Sequence, residues 1–282
     1  MSRNPYQNEG GKPRLKPSVF VLMDILGYQS LHQEAEDSGT QAEFLESLHG
    51  ALLDGRNWLE DRTVDEAIEA PQHLFDKDRH ALKAFSDNIV IGWPIRQDAE
   101  SELGDAFDRL ACFQLSMANA GFFVRGAISV GHAYIDDIVV SGKALIEAYE
   151  GESQLARDPR IILTRSAEAR VQTHLRYYRP REAAPQTRDL LIDSDGRWFV
   201  NYLNAILVLE DYSGPFDYEL TRHKQAVETQ LAKYKGTPTI FAKYAWVAGY
   251  HNYFCDLHSH YFTDEYKIET DLFRSAPRLV VE

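Results

Sequence analysis

The chain is poor in cysteine. Cys112 and Cys255 are its two thiols in 282 residues. That is too few for a disulfide framework and leads to the expectation of a cytoplasmic protein. Long apolar runs are missing as well. No stretch approaches the roughly 20 residues needed to cross a bilayer, and the opening "MSRNPYQNEGGKPRLKP" has basic residues but no apolar core of a secretory signal. A membrane partner is therefore not expected. Positive charge is also scarce: the net charge is −13. A non-specific polynucleotide binder would carry a basic surface, so no nucleic-acid polymer is expected as partner. A small polyanion remains open, held by metal ions and a few focused Lys or Arg residues. Repeats and heptads are absent.

Apolar content is ample, at 44%, enough for a full core. The most telling stretch is "SVFVLMDILGY", residues 18–28. Val19 to Met23 read as a strand buried on both faces. Asp24 follows at once, and a buried carboxylate without a partner costs several kcal/mol or takes up a proton. A short helix follows from "DILGYQSLHQEAED", and "DSGT" breaks it. "TQAEFLESLHGALLDG" has a 3.6-residue apolar face. Residues 54–79 give only weak helical signals.

"ALKAFSDNIVIGWP" reads as a tight hairpin turning at Ser86-Asp87-Asn88. Leu103, Phe107, Leu110, Gln114 and Met117 share one face of a helix that Gly121 ends. "FFVRGAISVG" is a strand, "GKALIEAYEGESQLA" a helix with Leu145, Ala148, Tyr149, Glu152 and Leu155 on one side, and "PRIIL" a strand. The order βαββαβ predicts an α+β, ferredoxin-like fold: an antiparallel sheet with helices on one face. Residues 1–17 are expected to be a flexible leader, 18–165 a catalytic-looking domain, and 166–282 a mostly helical appendage with a hairpin around "DSDG".

In such a sheet the first strand is central and the hairpin lies beside it, so Asp24 and Asp87 reach the same edge. Two close carboxylates repel unless they share a cation. A pair of divalent ions so held suits phosphoryl transfer. The local alternatives are that Asp24 caps a helix and Asp87 is an ordinary turn residue.

The motifs resemble those of class III nucleotidyl cyclases. "FVLMDILGY" resembles their first metal motif and "KAFSDNIVI" the second; "VRGAISVG" and "SGKALIEAYEGE" resemble the strand and helix that follow, where Gly142, Ala148 and Glu152 match. The resemblance covers about residues 18–165. It implies that Asp24, Asp87 and the backbone carbonyl of Ile25 ligate Mn²⁺ or Mg²⁺ in a two-metal site. The chain departs from the purine cyclases where they carry an Asn and a transition-state Arg, here Ile146 and Glu150, and at a base-reading position, here Val139. Lys83 does match a base-reading Lys. These departures, with the tail "KYAWVAGYHNYFC", resemble the pyrimidine cyclases of bacterial Pycsar anti-phage systems. That implies a head-to-tail homodimer, a nucleoside triphosphate substrate with UTP favoured, a cyclic UMP product and a separate effector that senses it. Cytidylate or purine cyclisation, and a catalytically dead nucleotide-binding regulator, are the alternatives.

The candidate substrate-binding residues are Lys83, Arg125 and Phe20. Arg125 lies inside an apolar strand and needs a partner, either phosphate or a neighbouring acid. Lys143, at a helix start, is more simply a solvated lysine. His251, Cys255 and His258, with His260 nearby, fit no closed zinc motif and read as a packed aromatic helix.

Overall fold

The computed structural model describes residues 4–60, 80–207, 217–269 and 278–280; of the weakly helical 54–79 stretch, 61–79 lie outside them. The apolar run forms strand β1 (Lys16–Ile25), in which Val19 to Met23 are all buried. It is flanked on both sides by antiparallel strands, β3 (Asn88–Pro94) and β4 (Val124–Ile135). Helices α1 (Tyr28–Ser38) and α2 (Gln41–Glu60) lead away from β1. Gly39 closes α1 in the left-handed conformation, which costs a residue without Cβ nothing. β2 (Ala81–Phe85) and β3 make the expected hairpin, with Ser86 at φ 56 in the turn. Helix α3 (Glu100–Asn119) buries the five residues its periodicity assigned to one face.

Beyond β4 come β5 (Val140–Ser141), paired to β4, and α4 (Lys143–Glu150), which runs on as a single π turn, Gly151–Leu155. β6 (Ile161–Leu163) pairs with β4 in parallel, so the sheet is mixed and the fold is α+β. The order β2–β3–β1–β4 is the one the βαββαβ pattern requires.

Three expectations change. First, helices cover both faces. In β1, Val19, Val21 and Met23 face α2 and α3, while Phe20 and Leu22 meet Ala144 and Ala148 of α4. A strand apolar on both sides needs cover on both. Second, the leader is folded from residue 4. Tyr6 is fully buried and donates its hydroxyl to Ser18, and the Asn4 side chain donates to the carbonyl of Ile135. Third, the sheet does not stop at residue 165. After α5 (Arg165–His174) and the short α6 (Gln186–Asp189), strands β7 (Leu190–Ile192) and β8 (Trp198–Val200) form the hairpin around "DSDG". β8 pairs with β6, and β9 (Arg278–Leu279) pairs with β7. An edge left open at β6 would expose unpaired backbone groups; these strands cover it. Helices α7 (Asp217–Lys233) and α8 (Pro238–Leu257) pack into the same apolar cluster. No described helix is long and apolar enough to cross a membrane.

Candidate functional site

Alternation along β1 places Asp24 on the face of Leu22 and Phe20, the face that α4 covers. Its cross-strand partner on β4 is Arg125. The guanidinium takes both carboxylate oxygens, Nε donating to Oδ1 at 2.9 Å and Nη2 to Oδ2 at 3.0 Å. This bidentate fork is the strong form of an Arg–carboxylate pair. The same Nη2 lies 2.8 Å from Oε1 of Glu152, which the π turn after α4 delivers. That contact is an ion pair rather than an aligned hydrogen bond. The group opposite Asp24 is therefore an arginine, and the intrachain ion pair weighed for Arg125 is present.

Asp87 sits in the β2–β3 turn. Its carbonyl accepts the Ile25 N–H at 3.2 Å, and its carboxylate accepts the Asn88 side-chain amide at 3.0 Å. The turn is thus tied to the end of β1, where the backbone of Ile25 lies beside it. The negative charge here exceeds what Arg125 balances. Burial, then the charge of Asp24, with a smaller push from Asp87, drives the Glu152 carboxyl up to about 7, against the opposing pull of Arg125. Arg125 itself is raised, chiefly by its bond to Asp24.

Lys83 shares this face of the sheet, since it pairs with Val90, which pairs with Leu22. From Asp24 it is two strands across and two residues along, about 12 Å by sheet spacings. Its Nζ donates to the carbonyl of Asp137 at 3.0 Å. That carbonyl belongs to the turn in which Asp136 Oδ1 accepts the N–H groups of Ile138 and Val139. The structure thus brings Lys83 to the turn that carries Val139. Ile146 and Glu150 lie on the exposed side of α4, and Lys143 is exposed.

Phe20 requires a correction. It is fully buried between the sheet and α4, in a cluster with Tyr6, Leu22 and Ala144, and has no surface for a substrate to touch. Glu152 is the residue that sequence reasoning left out of the site. Its signal was present: a carboxylate on a helix face otherwise made of Leu145, Ala148, Tyr149 and Leu155.

His251 of α8 is packed, as expected, and Cys255 is buried with it; His258 and His260 lie beyond the helix end, the first partly buried and the second exposed. His251 stacks on His223 of α7 with rings 3° from parallel, and the two Nδ1 atoms are 2.9 Å apart. His251 Nε2 faces the carbonyl of Tyr266, so it carries the proton; His251 Nδ1 then accepts from His223, and His223 Nε2 accepts from the Tyr202 hydroxyl. Burial lowers both pKa values, that of His251 to about 4.

Among the described residues no group of three or more His, Cys, Asp or Glu forms a ready metal site. The oxygen donors of Asp24 and Asp87 nevertheless suit Mg²⁺ or Mn²⁺ in kind, and the surplus negative charge that raises Glu152 suits a cation. Asp24 is committed to Arg125, so a cation there competes with the guanidinium. No family model matches the chain, and no curated protein matches it either.

Proposed function

We propose that the protein is a nucleotidyl cyclase that converts a pyrimidine nucleoside triphosphate, UTP before CTP, to the 3′,5′-cyclic monophosphate and pyrophosphate. The observation that carries the reading is the meeting of Asp24, Asp87 and Glu152 around Arg125 at the end of the central strand, on the sheet face that also holds Lys83. The βαββαβ order and the quoted motifs of class III cyclases support it.

In the reaction, the 3′ oxygen of the ribose attacks the α-phosphorus, its proton leaves to solvent, and the bond to the pyrophosphate oxygen breaks. Asp24 and Asp87, with the Ile25 carbonyl, would hold Mn²⁺ or Mg²⁺, which when bound neutralises charge developing on the phosphates and favours ionisation of the hydroxyl. Glu152 offers Arg125 a second carboxylate when Asp24 turns to a cation. Lys83, a donor, suits the O2 and O4 carbonyls of uracil and suits the N4 amino group of cytosine poorly.

A second copy of the chain is the proposed partner. Phe85, Ile138, Val139, Ile146 and Tyr149 leave large apolar surface exposed on the α4 side of the sheet, as an interface that completes the site would require. Specific activity is expected to fall on dilution together with the dimer. Production of a cyclic messenger places the chain, as a proposal, in cytoplasmic anti-phage signalling with an effector that senses the product.

Incubation with each of the four nucleoside triphosphates and Mn²⁺, with products identified by mass, tests the activity. No cyclic product from any of them sinks it. A second reading, a nucleotide-binding regulator without turnover, draws on the hold of Arg125 on Asp24. That reading requires nucleotide binding in the same experiment with no product.

A further inference from the structure

We propose that Lys243 is a phosphate anchor of the candidate site, its ammonium carried by α8 to the flank of Arg125 to bind the polyphosphate of the nucleotide. The identity of the ligand rests on the cyclase reading; the placement rests on how α8 is held. Tyr244 packs edge-on against Phe123, with ring centroids 5.1 Å apart at 77°. Phe123 lies two residues before Arg125 and, by alternation, on the same side of the chain. Trp246 donates its Nε1–H to Asp193 at 2.6 Å and stands 5.5 Å from the guanidinium of Arg160, whose carbonyl accepts the Gly126 N–H at 3.1 Å. The two anchor points bracket Arg125 along the chain. Lys243, one residue before Tyr244 and nearly one helical turn before Trp246, is thereby set beside it.

Lys243 is half-buried, and among the described residues it has neither a hydrogen bond nor an ion pair. It is within electrostatic reach of Arg125, Asp158 and Asp24; burial, then repulsion by Arg125, holds its pKa below the ordinary lysine range. An ammonium taken partly out of water without a partner is costly and awaits an anion. The other cations cannot serve as readily. Arg125 is committed to two carboxylates, and Lys83 is turned to the Asp137 carbonyl. A compact point charge on a flexible stem suits polyphosphate oxygens.

The test is calorimetric binding of inorganic tripolyphosphate at constant Mg²⁺ to the full chain and to Lys243→Gln, Lys243→Arg and Lys243→Met, beside turnover of UTP. Lys243→Gln and Lys243→Met should weaken binding about tenfold or more, Lys243→Arg should keep most of it, and melting temperatures should agree. If Lys243→Gln fails to fold, Lys243→Met, which keeps the apolar stem, decides. Equal binding by wild type and the neutral variants overturns the proposal even if UTP is cyclised. So does a wild type that cyclises UTP but does not bind tripolyphosphate. Binding that depends on Lys243 in a protein that cyclises no nucleotide supports the phosphate site while sinking the cyclase reading; neither binding nor product sinks both.

Discussion

Arg125, on β4, and Arg160, just before the neighbouring strand β6, gather carboxylates in opposite ways. Arg160 is 1% exposed, meets Asp193 and Asp195, and lies against the rings of Phe199 and Trp246. Burial works against ionised Asp195, yet the Arg160 guanidinium overrides it and holds that carboxyl below its ordinary range. At Arg125 the balance is reversed: Glu152 is pushed up to about 7, because burial and the charges of Asp24 and Asp87 outweigh one guanidinium. The side chains of Arg125 and Asp24 also keep 24% and 18% of their exposure. The same residue types therefore close over the guanidinium in one place and leave an unfinished site around it in the other. What separates them is the guanidinium itself, open to solvent at Arg125 and sealed at Arg160; each cluster also drives one carboxyl up, Glu152 at the first and Asp158 at the second.

Asp24→Asn and Asp87→Asn should break the unfinished cluster with the largest effect, abolishing cyclisation while the fold persists, since the charge stabilisation lost is worth several kcal/mol in the transition state. Near-normal turnover by Asp87→Asn at saturating Mn²⁺ would refute the two-aspartate site. Next, Arg160→Met should lower stability by about 3–5 kcal/mol in urea, because it strands the buried Asp193 carboxylate, while Arg125→Met should cost clearly less. Equal losses would erase the contrast.

The His223–His251 pair supplies an uncharged reference. Folded His251 resists protonation down to about 4, whereas the unfolded ring titrates near 6.5. The unfolded state thus binds more protons in that window, and stability, full above pH 6.5, should fall by on the order of 3 kcal/mol toward pH 4 through His251. Denaturation midpoints at pH 7 and 4.5 measure this, with His251→Asn as the control.

Lys83→Ala should reduce kcat/KM for UTP more than for CTP by about 1–3 kcal/mol; an equal loss for both would remove the basis of uracil selectivity. The smallest effect is at Glu152. Its folded pKa lies above the ordinary 4.5, so its contribution is present at low pH and lost as pH rises through 7. Glu152→Gln in metal-free protein should therefore stabilise by about 1–2 kcal/mol at pH 8, after discounting for solvent screening, and by nothing at pH 4.

The central elements were legible in the sequence because their patterns are long. The Val19–Met23 run, the Ser86–Asn88 turn and the face from Leu103 to Met117 each repeat a period often enough to name an element. The three-residue strands β7 and β8 were read as a hairpin, but nothing in Leu190–Ile192 or Trp198–Val200 says which sheet edge they join. Tyr6 was illegible for another reason: one aromatic in a polar segment carries no period, and its burial depends on a hole made elsewhere, at Gly92. Within the site, the neighbours Asp24 and Asp87 could be placed from strand order, but the pairing of Asp24 with Arg125 and of Arg125 with Glu152 needed register and the π turn.

That hole at Gly92 has a consequence for alignment. A β-strand buried on both faces can slide by two residues and keep every side chain on its proper face. For β1 such a slide would carry Asp24 about 7 Å from the turn of Asp87. A Cβ at Gly92 would come within 2.3 Å of the Tyr6 hydroxyl, and that hydroxyl is fixed to Ser18 of β1 itself. Tyr6 thus works as a peg through two strands, fitting where Phe20 faces Gly92 and nowhere one pleat away, where Val90 or Pro94 would fill the hole. The N-terminal segment, at the far end of β1, sets the frame in which the carboxylates meet.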